Sequence, residues 1–123
     1  MKILLGVGGS ELSYQALTET IERASEAGDE LTIAIFESEE VDATLDEVQE
    51  RVQEQVDESN FEPEIRQIVG TSPGSELVNI AESEGFDRIV LGGGDRSPLG
   101  KIQLGSIVEF VLLNAQTPVT LIR

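Results

Sequence analysis

The 123-residue chain is long enough for one domain and too short for two, and its hydrophobic fraction of 39% is enough for one core. It has no cysteine and no histidine, which excludes disulfide bonds, thiolate chemistry and the commonest zinc ligand, so no metal site is predicted. No apolar run approaches the ~20 residues of a membrane span, and Gly6 comes too early for a signal peptide. These features predict one cytoplasmic domain, residues 1–123, without membrane association.

The charge is strongly negative and unevenly spread. Of 24 acidic residues, 18 lie between Glu11 and Glu64, and the net charge is -16. Such a surface repels nucleic acid and anionic membranes, so neither is an expected partner. Lys2 and Lys101 are the only lysines. Because dissolved salt screens self-repulsion, this composition predicts a halophilic archaeal host, with an ordinary acidic cytosolic protein as the alternative.

Strand and helix patterns alternate along the chain, and the alternation predicts a parallel sheet covered by helices on both faces. The apolar strand patterns lie at 3–7, 31–36, 64–69, 88–91 and 119–122. The helical patterns between them begin near Ser10, Thr44, Ser72 and Gly105. Gly28 is expected to end the first helix, and Thr44 with Glu47 predicts a capping box on the second. The predicted inward face of the last helix comprises Ile107, Val108, Val111, Leu112 and Ala115. An acidic loop at 37–43 and a glycine-rich loop at 92–104 complete the pattern.

Three phosphate-site motifs fail on their spacing. In a dinucleotide-binding G-x-G-x-x-G the third glycine falls on Glu11, whose carboxylate faces the pyrophosphate. In a Walker A motif the first glycine falls on Asp95, and the Ser/Thr position is Ile102. A phospho-receiver domain needs acidic residues at the end of the first strand, where this chain has Gly8 and Gly9.

The segment 92–106 is more specific. It is followed by an apolar helix and by Thr117-Pro118-Val119, and it closely resembles the universal stress protein pattern G-x2-G-x9-G-[S/T], helix, Pro-Val pair and final strand. Gly92 matches the first glycine, and Gly105 with Ser106 matches the terminal pair. The opening segment 3–11 and Gly70 are similar to that family as well, so the resemblance covers the whole chain.

The resemblance implies a fold, a function and an assembly. The fold is an α/β three-layer open sandwich of the nucleotide-binding α-hydrolase-like type, with a five-stranded parallel sheet in the order 3-2-1-4-5, two of the four helices on each face and no antiparallel pair within the monomer. The function is that of a small stress-response regulatory module that binds ATP or AMP weakly or not at all, with a possible protein partner. The resemblance also implies a homodimer paired through the last strand, Val119, Thr120, Leu121 and Ile122.

An ATP-hydrolysing member of the adenine-nucleotide α-hydrolase group is the alternative. Those enzymes carry a phosphate loop resembling S-G-G-x-D-S, and the corresponding stretch 8–13 has lost its Asp. No paired base and nucleophile stands out in the sequence, so no catalytic residue is predicted. Release of ADP or pyrophosphate from ATP and Mg²⁺ in high salt distinguishes the two hypotheses.

The candidate site follows from the resemblance and from the rule that ligands bind where strand order reverses, at the carboxyl ends of the strands. In ATP-binding relatives the glycine-rich turn approaches the phosphates, and the G-[S/T] pair lies at a helix N-terminus that attracts anions. The predicted binding residues are Gly8, Gly9, Gly92, Gly93, Gly94, Asp95, Arg96, Lys101, Gly105 and Ser106. Ser106 is either a phosphate ligand or only a helix cap.

Two departures from the family pattern reduce the expected affinity. Asp95 replaces the second glycine and places a negative charge beside the phosphates. Gly8 replaces the Asp that contacts the nucleoside in the family. Weak or absent ATP binding is therefore predicted, with sulfate, phosphate or chloride at the N-terminus of the last helix.

Overall fold

The computed structural model describes residues 1–93, 95–96 and 102–123, with the backbone alone at 95–96 and 102–103. Its strands are β1 Lys2–Val7, β2 Glu30–Ile35, β3 Glu64–Gln67, β4 Arg88–Gly92, β5 Asp95–Arg96, β6 Ile102–Gln103 and β7 Val119–Ile122. Its helices are α1 Glu11–Ala27, α2 Leu45–Ser59, α3 Pro73–Ser83 and α4 Ser106–Asn114. None of the helices in these ranges is long and apolar enough to cross a membrane.

Five strands form one sheet in the order β3-β2-β1-β4-β7, and every neighbouring pair is parallel. Leu5 of β1 lies opposite Ile33 on one side and Val90 on the other. The order confirms the prediction. Because the chain adds strands first to one side of β1 and then to the other, the carboxyl ends of β1 and β4 flank the point where the order reverses.

The alternation of side chains along β1 separates two cores. Ile3, Leu5 and Val7 pack with α1 and α2 on one face of the sheet. Leu4 packs with α3 and α4 on the other face. Successive strand residues point to opposite faces, so one strand supplies both cores, and the expected arrangement of two helices on each face is confirmed.

Local signals fix the ends of the first two helices. Ser10 caps α1, and its Oγ accepts a hydrogen bond from the Ser13 N–H at 3.1 Å. Gly28 ends α1 in the left-handed conformation, with φ of 73°, which glycine adopts without a Cβ clash. Thr44 and Glu47 form the predicted capping box of α2.

Three expectations from the sequence are wrong. The segment 92–104 is not a plain loop, because β5 and β6 within it pair antiparallel in a separate two-stranded sheet. The same pair contradicts the expectation that the monomer contains no antiparallel strands, since two short segments within one connection can fold back on each other and pair antiparallel. The inward face of α4 also differs, since Val108 and Val111 are buried whereas Leu112 is 39% exposed. Apolar residues occur on all sides of this short helix, and periodicity alone does not identify which side packs against the sheet.

Candidate functional site

A cleft opens at the carboxyl ends of β1 and β4, where the strand order reverses. Its volume is about 340 Å³, within the usual range for small-molecule sites. Five segments contribute to it: the end of β1 with the turn after it, the first turn of α1, the loop after β2, the end of β4 and the start of α4. The described residues that line it are Gly6, Gly8, Ser10, Leu12, Ser13, Phe36, Ser38, Glu40, Val41, Leu91, Gly92, Gly93, Leu104, Gly105, Ile107 and Val108.

The floor of the cleft depends on a close backbone approach at Gly92. A Cβ at this position would overlap the carbonyl oxygen of Leu12 and would lie 2.8 Å from the Cα of Ser13. The first turn of α1 therefore rests directly on the end of β4. Any larger residue at position 92 forces these two backbone segments apart.

The wall beside β1 is formed by an aromatic ring. Phe36 follows β2, is 5% exposed, and places its Cε2 atom 2.5 Å from the position that a Cβ would take on Gly8. The ring of Phe36 therefore occupies the space that a side chain at position 8 would need. A glycine at position 8 is therefore what allows the ring of Phe36 to lie against the end of β1.

The acidic loop reaches the N-terminus of α4. Glu40 lies in a turn in which the Val41 N–H donates to the Ser38 carbonyl at 3.2 Å. Its carboxylate Oε1 accepts a hydrogen bond from the backbone N–H of Ser106 at 2.9 Å. Gly105 is the N-cap residue of α4 and supplies no side-chain cap, so Glu40 is the side-chain acceptor in the first turn of α4, at the N1 amide of Ser106.

The charge inside the cleft is negative. Among the described lining residues Glu40 is the only one with an ionisable side chain. Two described ion pairs involve none of the lining residues: Arg51 holds Glu11 at 3.0 Å, and Arg66 holds Glu84 at 2.6 Å. The described residues contain no cluster of three or more side chains suited to a metal ion.

The predicted site residues are brought together only in part. Gly8, Gly92, Gly93 and Gly105 line the cleft. Gly9 is not among the lining residues, and a Cβ there would face Val48 and Val41. The Ser106 backbone faces Glu40, and the N-cap residue is Gly105, so the interpretation of Ser106 as the cap is wrong. Gly94 and Lys101 lie outside the described residues, as do the side chains of Asp95 and Arg96.

Sequence reasoning did not identify Phe36, Glu40 or the serines of the first turn as part of the site. One signal was available: a helix that begins at a glycine lacks a side-chain cap and needs an acceptor from another segment. The loop after β2 ends at the same edge of the sheet and is acidic. The strand order placed these two segments together, but only the structure shows which carboxylate makes the contact.

Comparison with known proteins agrees with this architecture. The universal stress protein family model matches residues 1–123. The chain belongs to the universal stress protein family. A family member from Methanocaldococcus jannaschii is 32% identical over 74 residues, which are 60% of this chain and 45% of that protein. Another from Mycolicibacterium smegmatis is 33% identical over 72 residues, 58% of this chain and 55% of that protein. The matched segments therefore span about half of each relative.

Solved structures of universal stress proteins superpose on the whole chain. One from Archaeoglobus fulgidus has a TM-score of 0.79 at 26% identity and covers 100% of this chain and 98% of its own. A second from the same organism, in complex with dAMP, has a TM-score of 0.72 at 22% identity, with coverage of 100% and 98%. The nucleotide-binding α/β fold is thereby established for this universal stress protein.

Proposed function

We propose that this universal stress protein is a regulatory module whose cleft binds an adenine nucleotide weakly. The observation that carries the proposal is the cleft itself, which lies where the strand order reverses and is bounded by the N-terminal ends of α1 and α4. Ligands of open α/β sheets bind at this point. A structure of the same fold holds dAMP, which favours AMP or ATP as the ligand class.

The lining of the cleft suits the two parts of a nucleotide unequally. Its apolar side, with Phe36, Leu91 and Ile107 among its members, offers the surface that a purine ring needs. Its α4 end offers the backbone N–H of Ser106 to an anion, but the Glu40 carboxylate already accepts from that group. Together with Gly8 and Asp95 this arrangement supports weak rather than tight binding.

The hydrogen bonds made by Ser10 and Ser13 in the cleft favour nucleotide binding over ATP hydrolysis as the function. The Ser10 Oγ accepts from the Ser13 N–H, and the Ser13 Oγ donates to the Ser10 carbonyl at 2.6 Å. Both hydroxyls are therefore engaged in the start of α1. Neither lies within hydrogen-bond reach of a described base that would activate it as a nucleophile.

We also propose that two copies pair through β7, which lies at the edge of the five-stranded sheet. An unpaired, apolar edge strand is a template for another strand. Three large apolar side chains of α4, the helix that precedes β7 in the chain, are exposed: Phe110, Leu112 and Leu113. These features support a two-fold dimer with antiparallel β7 strands.

A salt-rich cytoplasm is the setting we propose for this chain. All six acidic residues of α2 are exposed, and Glu50, Glu54 and Glu58 follow one another at intervals of four residues. Like charges at this spacing repel each other. Concentrated salt weakens that repulsion, which supports a halophilic host over an ordinary acidic cytosolic protein.

Equilibrium dialysis with labelled ATP, AMP and cyclic AMP in 2 M KCl tests the nucleotide proposal. We expect dissociation constants of ~0.1–1 mM or higher. Gly8 and Asp95 replace two residues that contact the nucleotide in the family pattern, at a cost of about two to three decades in affinity. The control is Ile107→Trp, which enlarges a half-buried side chain that lines the cleft. Equal retention of ATP by the unmodified chain and by folded Ile107→Trp would show that binding occurs elsewhere.

A further inference from the structure

We propose that Glu40 is an internal competitor for phosphate: its carboxylate holds the N-terminus of α4 and a nucleotide binds with its phosphate there only by displacing it. The inference rests on the proposed nucleotide function and specifies how that site is regulated. Glu40 thereby decides how strongly the cleft prefers an uncharged nucleoside portion over a phosphate group.

The contact is direct and joins two segments that are distant in sequence. Glu40 Oε1 accepts from the Ser106 N–H at 2.9 Å across 66 residues. The same oxygen lies 3.2 Å from the position that a Cβ would take on Gly105, and Oε2 lies closer still. The glycine at the N-cap therefore leaves the room that the carboxylate fills. A carboxylate is favourable at this place because the free N–H groups and the dipole of a helix N-terminus attract negative charge.

The backbone on both sides of Glu40 is fastened locally. The Glu40 N–H donates to the Ser38 Oγ at 3.3 Å, and the Val41 N–H donates to the Ser38 carbonyl. Glu37 Oε1 accepts from the Leu45 N–H at 2.9 Å, which ties the loop to the start of α2. Because the turn has these bonds of its own, the Glu40 side chain can rotate away from α4 while the loop keeps its path.

The chemistry of the two acceptors makes them exclusive. A carboxylate oxygen and a phosphate oxygen both accept from a backbone N–H. A phosphate that accepts from the Ser106 N–H therefore has to take the place of the Glu40 carboxylate. Both groups are anionic, so they also repel each other in a partly enclosed cleft. None of the described residues lining the cleft carries a positive charge that would offset this repulsion.

Three variants separate this contact from the general effect of charge. Glu40→Gln keeps an oxygen acceptor and removes the charge, and Glu40→Ala removes both. Glu39→Gln is the matched control, because Glu39 is exposed in the same turn and its replacement changes the net charge equally. Melting curves establish that each variant is folded. The probes are ATP, inorganic tripolyphosphate and adenosine, and ¹⁵N NMR follows the Ser106 amide.

We expect both Glu40 variants to bind ATP and tripolyphosphate about fivefold more tightly than the unmodified chain, the equivalent of one charge interaction at a helix terminus. Adenosine, which has no phosphate, should bind all four proteins equally. The Ser106 amide resonance should move with tripolyphosphate in Glu40→Ala at concentrations that leave it unchanged in the unmodified chain. Glu39→Gln should behave as the unmodified chain.

The outcomes distinguish the inference from the proposed function. An equal gain in Glu39→Gln, or unchanged ATP and tripolyphosphate binding in both Glu40 variants, overturns the role of Glu40 while ATP binding itself can stand. Tighter tripolyphosphate binding without any binding of adenosine or ATP supports the role of Glu40 and removes the adenine nucleotide from the proposed function. No binding of any probe to any variant overturns both.

Discussion

The ring of Phe36 lies where a side chain on Gly8 would stand, with Cε2 2.5 Å from the Cβ position. The side chains of two residues separated by 28 positions in sequence therefore compete for the same space at the carboxyl end of β1. Such a relationship makes their substitutions interdependent, because the cost of enlarging one depends on the size of the other.

The first prediction concerns this pair. Gly8→Asp alone should destabilise the protein by about 1–3 kcal/mol, since the new side chain overpacks against the ring. Phe36→Val alone should also destabilise it, because it leaves a cavity. The double variant should be more stable than the sum of the two losses predicts, by about 1 kcal/mol or more. Urea unfolding of the four proteins measures this coupling, and additive losses would contradict the shared volume.

The second prediction concerns the floor of the cleft. Gly92→Ala places a Cβ against the backbone of Leu12, which cannot rotate away, so a loss of about 1–3 kcal/mol is expected. Gly93→Ala is the control, because its nearest neighbours are the side chains of Val108 and Leu121 at 3.2 and 3.6 Å. It should cost less than about 1 kcal/mol. Equal unfolding midpoints for the two variants would show that the α1–β4 contact is not tight.

The third prediction uses the direction of the backbone groups in β7. The Pro118 and Ile122 carbonyls accept from Ile89 and Gly93 of the neighbouring segment. Because backbone groups alternate in direction along a strand, Thr120 also faces β4, whereas the N–H of Leu121 faces the outer edge. Leu121→Pro should therefore yield folded monomers by light scattering in high salt. Thr120→Pro should instead lower the melting temperature, since it removes a hydrogen bond inside the sheet.

A monomeric unmodified chain at micromolar concentration would contradict the proposed dimer. A Leu121→Pro variant that remains dimeric would place the interface elsewhere, and the exposed apolar side chains of α4 would be the next surface to substitute.

The fourth prediction concerns salt. In 0.1 M KCl the Debye length is about 10 Å and in 2 M KCl about 2 Å, so the melting temperature should rise between them as self-repulsion is screened. Replacement of Glu50, Glu54 and Glu58 by glutamine removes one row of like charges from α2 and should reduce this rise. A melting temperature that is the same in both solutions would leave the halophilic setting without support.

The fifth prediction concerns acid. The hydrogen bonds from the Arg66 guanidinium, at 2.6 Å, hold the pKa of Glu84 below its ordinary value. A lowered folded-state pKa contributes stability above the unfolded pKa, and this contribution is lost as the pH falls through the folded value. The stability difference between the unmodified chain and Arg66→Gln should therefore be constant near pH 7 and shrink below about pH 4.

NMR titration of the Glu84 carboxyl measures the same effect directly, and its pKa should return towards the ordinary value in Arg66→Gln. Arg23→Gln is the control, because Arg23 is exposed and makes no ion pair among the described residues. A Glu84 pKa that does not change in Arg66→Gln would contradict the assigned cause.

The sequence predicted those features that depend on neighbouring residues. Helix caps are an example, because each lies within a few residues of the groups that it satisfies. The caps at Ser10 and Gly28 and the capping box at Thr44 could therefore be predicted from the local sequence. The sheet order was predicted from the family resemblance together with the alternation of elements, and the glycines at the ends of β1 and β4 followed from it.

The features that were missed depend on contacts distant in sequence. Glu40 is one of many carboxylates between 37 and 58, and nothing in its immediate neighbourhood marks it as the one that reaches α4. The sequence pattern predicts only that Phe36 is the last apolar residue of a strand, and the structure is needed to show that its ring packs against Gly8. The outward side of α4 was likewise undetermined, because Leu112 and Val111 are equally apolar and the surrounding sheet decides between them.

The capping of α4 by Glu40 has a calorimetric consequence. When an arriving phosphate replaces the carboxylate, one hydrogen bond to the Ser106 amide is broken for each one formed, so the heat released at a single temperature should be small. The apolar lining around Phe36 and Ile107 is still removed from water. Binding should therefore show a negative change in heat capacity, which titration calorimetry detects as a heat of binding that becomes more negative as the temperature rises.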